Sequence, residues 1–337
     1  MSHLCEGCDR LVNSSHSCSL QAFKNAFLET ETASIFAYLN FCTPKKRDEI
    51  IEILLQGLRR MECRGCDSAG IAIDSCNGIE ARQEEISILR KFGKVDVLEA
   101  YIRERGDLDL QKLYMYHCGI GQTLEHYGAR DDRDLNPQNS NNNVFVVVHT
   151  GIIKNLSYIK KNLEKQNVHF HSNRDTEVIA KLIHHIHERY PNFGFRQLVE
   201  TTIQQLDGDF ALAFKSRLFS NQLVASRRGS PLLVGIKSAS RILTDDRLTV
   251  NFSTEQIFDI EEDKGNIKVD SSAKKCYSLG TEYFFASDAS AIIEHTKQVL
   301  YLEDDDVAVV ESKHLSIHRI ERHDDPSNET REVVTAK

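Results

Sequence analysis

Short apolar runs rich in β-branched and aromatic side chains stand at both ends of this chain, with helical periods between them. Ile35-Phe36-Ala37-Tyr38-Leu39 and Val144–Val148 read as buried strands, and the second ends at His149-Thr150-Gly151, where a turn is expected. Ser68–Asp74 alternates as a strand does. Further strands are expected over Asp209–Lys215, Gln222–Arg227, Leu232–Lys237, Glu282–Ala286, Asp306–Glu311 and Lys313–Arg319. Between the strands, Thr43-Pro44 supplies an N-cap and a first-turn proline, and Ile50, Ile53, Leu54, Leu58 and Met61 then share one helical face. Helices are also expected over Ser157–Lys165, from Asp175 as N-cap through Ile186, and over Phe195–Leu206. This order specifies an α+β fold with helices layered on sheets.

The chain has 337 residues, 40% of them hydrophobic, enough for a sizeable core. A net charge of −8 argues against nucleic acid as a partner, because phosphate binding needs a basic surface. No apolar stretch reaches the roughly 18 residues of a membrane span, so no membrane association is expected. Met1–Leu20 has no apolar core of the secretory kind, and nine scattered cysteines then read as reduced thiols in the cytosol. The chain divides into a cysteine-rich extension over 1–32, a main domain over 33–320 and a polar tail over 321–337. Ala129–Asn143 reads as a loop, Arg241–Ser278 as a polar insertion, and the residues from about His323 as unpacked.

Several segments recur in one order: Ala33-Ser34-Ile35-Phe36-Ala37-Tyr38-Leu39-Asn40, Glu62-Cys63-Arg64-Gly65-Cys66-Asp67-Ser68-Ala69-Gly70, His149-Thr150-Gly151-Ile152-Ile153 and Arg174-Asp175-Thr176-Glu177. Arg227-Arg228-Gly229-Ser230-Pro231 and Phe284-Phe285-Ala286-Ser287-Asp288 follow. Together they resemble the glutaminase half of the eukaryotic glutamine–fructose-6-phosphate aminotransferases, over about Ala33 to Arg319. The resemblance implies a glutamine amidotransferase type 2 domain with the N-terminal-nucleophile hydrolase-like fold, a four-layer α/β/β/α sandwich. It also implies a mechanism. An N-terminal cysteine attacks the glutamine side-chain amide, its free α-amine serves as base, and an Asn side chain with a Gly N–H holds the oxyanion. An Arg takes the substrate carboxylate and an Asp its ammonium group.

Against that pattern this chain departs at the centre of the chemistry. Ala33-Ser34 replaces Cys-Gly, so the nucleophile position carries a methyl group, and the nitrogen of Ala33 is a peptide amide. The oxyanion asparagine is Thr150, while Gly151 matches. The His-Thr-Arg-Trp-Ala-Thr-His-Gly segment of the family appears as Gln122-Thr123-Leu124-Glu125-His126-Tyr127-Gly128, one residue shorter, which puts Leu124 where the carboxylate-binding arginine is expected. Asp175 matches the ammonium-binding aspartate and Arg64 the motif arginine. Removing the nucleophile of a covalent hydrolase costs roughly 10⁶ in rate. The expectation is therefore a pseudo-glutaminase that binds a glutamine-like ligand or pairs with a full-length relative in the cytoplasm, with no catalytic cofactor.

Ser34 is the alternative nucleophile, one position off and weaker. Cys42 reads as a packed thiol, and Cys63-x-x-Cys66 as a coincidental rather than a redox pair. Arg64 and Asp175 fit a structural ion pair and a helix cap as well as a ligand site. His184, His185 and His187 read as a solvated helical face. In the extension, Cys5, Cys8, His16 and Cys18 supply donors for one tetrahedral zinc ion, against the alternative of a disordered segment. The opposing functional reading is an active relative that still contributes glutamine-dependent amino transfer to amino-sugar synthesis. Against it, the chain stops near where the family's sugar-phosphate isomerase half is expected.

Overall fold

A computed structural model describes residues 33–62, 66–75, 85–125, 132–172, 174–238, 251–253, 280–311, 313–320 and 334–335. Two sheets carry the fold. In chain order the elements are β1 (Ala33–Lys46), α1 (Arg47–Met61), β2 (Cys66–Asp74), β3 (Ile86–Phe92), α2 (Val95–Glu104), β4 (Leu113–Glu125), β5 (Gln138–Asn139) and β6 (Phe145–Ile153). Three helices follow: α3 (Leu156–Lys165), α4 (Asp175–Arg189) and α5 (Phe195–Gln204). The remaining strands are β7 (Gly208–Ser216), β8 (Gln222–Arg228), β9 (Leu233–Ser238), β10 (Asn251–Ser253), β11 (Thr281–Ala286), β12 (Gln298–Tyr301), β13 (Asp306–Glu311), β14 (His314–Arg319) and β15 (Val334–Thr335). The first sheet runs β15-β12-β9-β11-β1-β4-β2-β3, and the second runs β10-β14-β13-β8-β7-β6-β5.

Alternation along the strands builds the layers. In β1, Ile35, Ala37 and Leu39 enter a core shared with Val146, Val148, Ala211, Ala213 and Ala308 of the second sheet. Phe36 and Tyr38 point the other way, into a core with Leu54 and Leu58 of α1 and Leu98 of α2. On the second sheet, Phe145, Val147, Phe210 and Leu212 pack under Ile179, Ile183, Leu198 and Ile203 of α4 and α5. One apolar layer thus lies between the sheets and one outside each, giving the expected four-layer α/β/β/α sandwich. Gly57 of α1 is the close-approach point: a Cβ there would meet the Phe36 ring at 2.5 Å.

The structure corrects several expectations. Thr43-Pro44 does not start a helix. β1 continues through them to Lys46, with an irregularity in its pairing to β4 between Phe41 and Lys45 and a φ of 50° at Cys42. α1 begins only after Lys46, whose N–H donates to Glu49 Oε2 at 2.7 Å. Arg174 rather than Asp175 is the N-cap of α4. Val334–Thr335 of the tail pairs with β12, so the tail is not wholly unpacked. Cys42 is not a free thiol: it is disulfide-bonded, and its Sγ lies 3.3 Å from the Tyr116 hydroxyl. The extension over 1–32 with Cys5, Cys8, His16 and Cys18 lies outside the described residues, as do Cys63, Arg64 and His126–Gly128. Two of the α4 histidines, His184 and His187, do not lie on a solvated face. The rings of His184 and His187 stand edge-on to the buried Phe145, and His184 Nδ1 lies 3.0 Å from Ser140 Oγ. Among the described residues no helix is long and apolar enough to cross a membrane, and no group of three or more His, Cys, Asp or Glu could hold a metal ion.

Candidate functional site

Ala33 opens β1, and its cross-strand partner on β4 is Leu124. Strand alternation fixes their direction. Ala33 falls on the face of Ile35 and Ala37, and Leu124 on that of Cys118 and Ile120, four residues that line the layer between the sheets. On β6, Thr150 falls on the face of Val146 and Val148, which enter the same layer. Three positions singled out in the sequence therefore open onto the same end of the inter-sheet space. Ala33 and Thr150 are half-buried there, and Leu124 is only 2% exposed. Ser34 faces away from them. Its hydroxyl donates to the Met61 carbonyl at 3.3 Å, in the layer of α1.

Gln122 ties the two sheets together beside these positions. It pairs with Ile35 in register on β1 and with Gly70 on β2. Its side chain crosses to β6, where Nε2 donates to the His149 carbonyl and Oε1 accepts from the His149 N–H at 3.2 Å. The carbonyl of Asn136 closes over Gly70, where any Cβ would collide with it. Sequence reasoning missed Gln122. The available signal was a long amide side chain on the strand face that otherwise carries Cys118, Ile120 and Leu124.

Gly151, two residues past His149, has φ +110°, and a Cβ there would meet the Asp209 carbonyl, Phe210 Cα and Ser230 Oγ. Ser230 belongs to a segment whose arginines are committed elsewhere. Arg227 donates to the Leu302 carbonyl at 2.9 Å and to Asp304 at 2.6 Å. Arg228 donates to Asp305 at 2.6 Å and to the Leu206 carbonyl at 2.9 Å, and its guanidinium lies 4.8 Å from the Phe210 ring centroid. These groups brace the turn against Gly151.

Asp175 occupies the first turn of α4 and is exposed. The turn before it is held by Glu177, another residue the sequence reading passed over. Glu177 is 2% exposed and accepts from the N–H groups of His171 and Ser172 and from Ser172 Oγ at 2.8 Å, with Lys181 Nζ 3.4 Å away. Arg174 Nε donates to the Asp134 carbonyl at 3.0 Å, which docks the helix start on the loop that carries Asn136.

A second polar cluster gathers at the end of β2: Asp74 and Lys215 of β7 meet in the inter-sheet layer, and His117 of β4 approaches Asp74 from the side of α1, near Leu54 and Tyr114. Lys215 Nζ pairs with Asp74 Oδ1 across the two sheets, and Asp74 Oδ2 accepts from the Cys118 N–H at 2.9 Å. Burial alone would raise the Asp74 carboxyl, but the Lys215 ammonium, His117 and these hydrogen bonds hold it below the usual carboxylate range. Burial lowers His117 to about 4, against the pull of Asp74. His149 is likewise lowered to about 4 by burial. Both rings are therefore neutral at pH 7.

In chemical terms, Ala33 offers no lone pair, Leu124 no charge and Gly151 no side chain, so Thr150 alone brings a polar side chain to this set of four. A family model described as "Glutamine amidotransferase domain" matches residues 126–243. Glutamine–fructose-6-phosphate aminotransferase (isomerizing) 1 of Rattus norvegicus is 44% identical over 298 residues, covering 86% of this chain and 43% of that protein. The Mus musculus form 2 is 43% identical over 303 residues, covering 87% of this chain and 44% of that protein. The Saccharomyces cerevisiae enzyme of that name is 33% identical over 331 residues, covering 86% and 45%. This chain spans less than half the length of these relatives. Among solved structures, the glutamine phosphoribosylpyrophosphate amidotransferase of B. subtilis, complexed with ADP and GMP, superposes with a TM-score of 0.52 at 17% identity. The match covers 84% of this chain and 49% of that one, and at this identity the likeness concerns the fold alone.

Proposed function

The chain is related to the glutaminase half of the glutamine–fructose-6-phosphate aminotransferases, and from that premise we propose that it is a pseudo-glutaminase: a folded amidotransferase domain that does not hydrolyse glutamine and works through binding. The observation that carries this reading is Ala33 at the start of β1 with Leu124 as its cross-strand partner. Covalent amide hydrolysis needs a nucleophile with a base beside it. A methyl group supplies no nucleophile, and the peptide nitrogen of Ala33 supplies no base. Thr150 in the oxyanion position adds a loss of roughly 10²–10³ where a donor amide is replaced. A leucine at 124 leaves a bound carboxylate without its cation. In this reading the protein resides in the cytoplasm, pairs with a full-length relative and engages a glutamine-like ligand, with any zinc confined to residues 1–32.

The experiment is reconstruction. Ala33→Cys alone is expected to stay inactive, because its α-amine remains an amide. A chain starting at Met followed by Ala33→Cys, with Ser34→Gly, Thr150→Asn and Leu124→Arg, is expected to release ammonia from glutamine and to be blocked by a glutamine-analogue electrophile. Ammonia release by the natural chain, stoichiometric with glutamate and blocked by the same electrophile, overturns the proposal. A folded reconstruction that is silent toward both reagents refutes the assignment of these positions.

A further inference from the structure

Among the described residues, a strand covers the edge of β6 only in part. β5 pairs with Val146 and Val147 and goes no further. Beyond it, the N–H and carbonyl of His149 take their hydrogen bonds from the side chain of Gln122, which arrives from the opposite sheet. A primary amide offers one donor and one acceptor side by side, the same pair that a neighbouring strand would present. Gln122 thus gives His149 the pair of bonds that a neighbouring strand would give. Strand geometry repeats every two residues, so the backbone of Gly151 emerges on the edge that Gln122 secures at His149. Gly151 is also the point where the chain leaves ordinary strand conformation, with φ +110°.

We propose that Gln122 is a positioning residue for the candidate cleft: by clamping the His149 backbone from the opposite sheet, it sets the orientation of the Thr150–Gly151 peptide. The glutamine is itself enclosed. It is 1% exposed, with Ile35 on one side and Gly70 on the other, and Gly70 lies under the Asn136 carbonyl. The proposal rests on the pseudo-glutaminase reading only for the identity of the cleft. Its test reads the backbone of the natural chain, so a glutaminase assay with either outcome leaves it standing.

Amide hydrogen exchange over residues 148–153 is measured in the full chain. Gln122→Leu keeps the volume and deletes both bonds. It is expected to speed exchange at His149 and the following amides by about tenfold or more, as loss of two ordinary hydrogen bonds implies. Exchange in Ala213–Lys215 of β7 should stay at its native rate. Thr123→Val is the control, since Thr123 Oγ1 is buried without a partner among the described residues, and no change is expected.

Gln122→Glu supplies a rescue. When protonated, its carboxyl can donate to the His149 carbonyl and accept from the His149 N–H, as the amide does; when ionised it loses the donor. The neighbours on β1, β2 and β6 are Ile35, Gly70 and a neutral His149, which carry no charge at pH 7. Protection in Gln122→Glu, corrected for intrinsic exchange, should therefore recover as pH falls from 8 to 5, while Gln122→Leu stays unprotected throughout. Native exchange over 148–153 in a folded Gln122→Leu, or equal acceleration in both segments, overturns the proposal. If Gln122→Leu does not fold, Gln122→Glu decides alone: protection that is independent of pH refutes the clamp.

Discussion

Gly151 shows how much one residue can be asked to do. Its φ of +110° is open to glycine and costly to any other residue, and a Cβ would run into the Asp209 carbonyl. Gly151→Ala is expected to lower stability by about 2 kcal/mol or more, read as a shift of the denaturant midpoint at unchanged m-value. Gly106→Ala, with nothing within 4 Å of its Cβ and no positive φ, should be neutral or slightly stabilising. Leu124→Arg places a guanidinium at a position 2% exposed. On its own it is expected to lower the melting temperature, because an unpaired buried cation costs several kcal/mol, about 3–5 in comparable cases. Residue identities such as Ala33 and Thr150 were legible from motif order alone. The placing of Leu124 opposite Ala33 was not, because a segment one residue short has no register until the strands pair. Gln122 and Glu177 were illegible for a related reason. Each gains its meaning from backbone groups whose positions only the folded chain defines.

Elements were legible where one physical signal acted alone. α3, α4 and α5 follow helical periods and end close to where those periods fail. β4 is not legible in the sequence because Gly119 and Gly121 interrupt its apolar pattern. The structure gives the reason: Leu54 and Leu58 of α1 fill the space those side chains would take, with Leu54 Cδ1 2.7 Å from a Cβ at Gly119. The misplaced start of α1 has a different cause. Pro44 is tolerated in the irregular end of β1 as well as in a first helical turn, and the capping contact belongs to Lys46 and Glu49. At the head of α4, Glu177→Ala is expected to cost about 2–4 kcal/mol, since it strands two backbone donors and the Ser172 hydroxyl. Thermal melts check the cost. Exchange at His171 and Ser172 should rise with it, as their acceptor is removed.

Across the molecule, the apolar inter-sheet layer is crossed by a buried ion pair. Lys215→Met should destabilise the fold by about 3–5 kcal/mol, because the Asp74 carboxylate then lies buried without its counter-ion. Asp74→Asn combined with Lys215→Met should recover part of that loss, a coupling that a double-mutant cycle measures. His117 adds a pH dependence of definite sign. Its value falls from 6.5 to about 4 on folding, so the unfolded chain takes up a proton that the folded chain refuses. The contribution is flat above pH 6.5. It is lost as pH falls from 6.5 to about 4, by about 3 kcal/mol in all. His117→Gln should flatten the stability profile over that window relative to the natural chain, as followed by denaturant titrations at successive pH values.

The burial of Leu124 beside Ala33 also bears on history. A leucine buried opposite Ala33 is held there by the fold itself, independently of any ligand. Restoring an arginine there alone would be penalised in stability before it could be rewarded in activity. Restoring a cysteine at Ala33 alone would be idle, for want of a free amine. Each backward step is therefore neutral or harmful unless the others are already in place. Under the proposed reading, the loss of the chemistry works as a ratchet: a lineage that has passed it keeps a sound amidotransferase architecture and has no gradual way back to the enzyme.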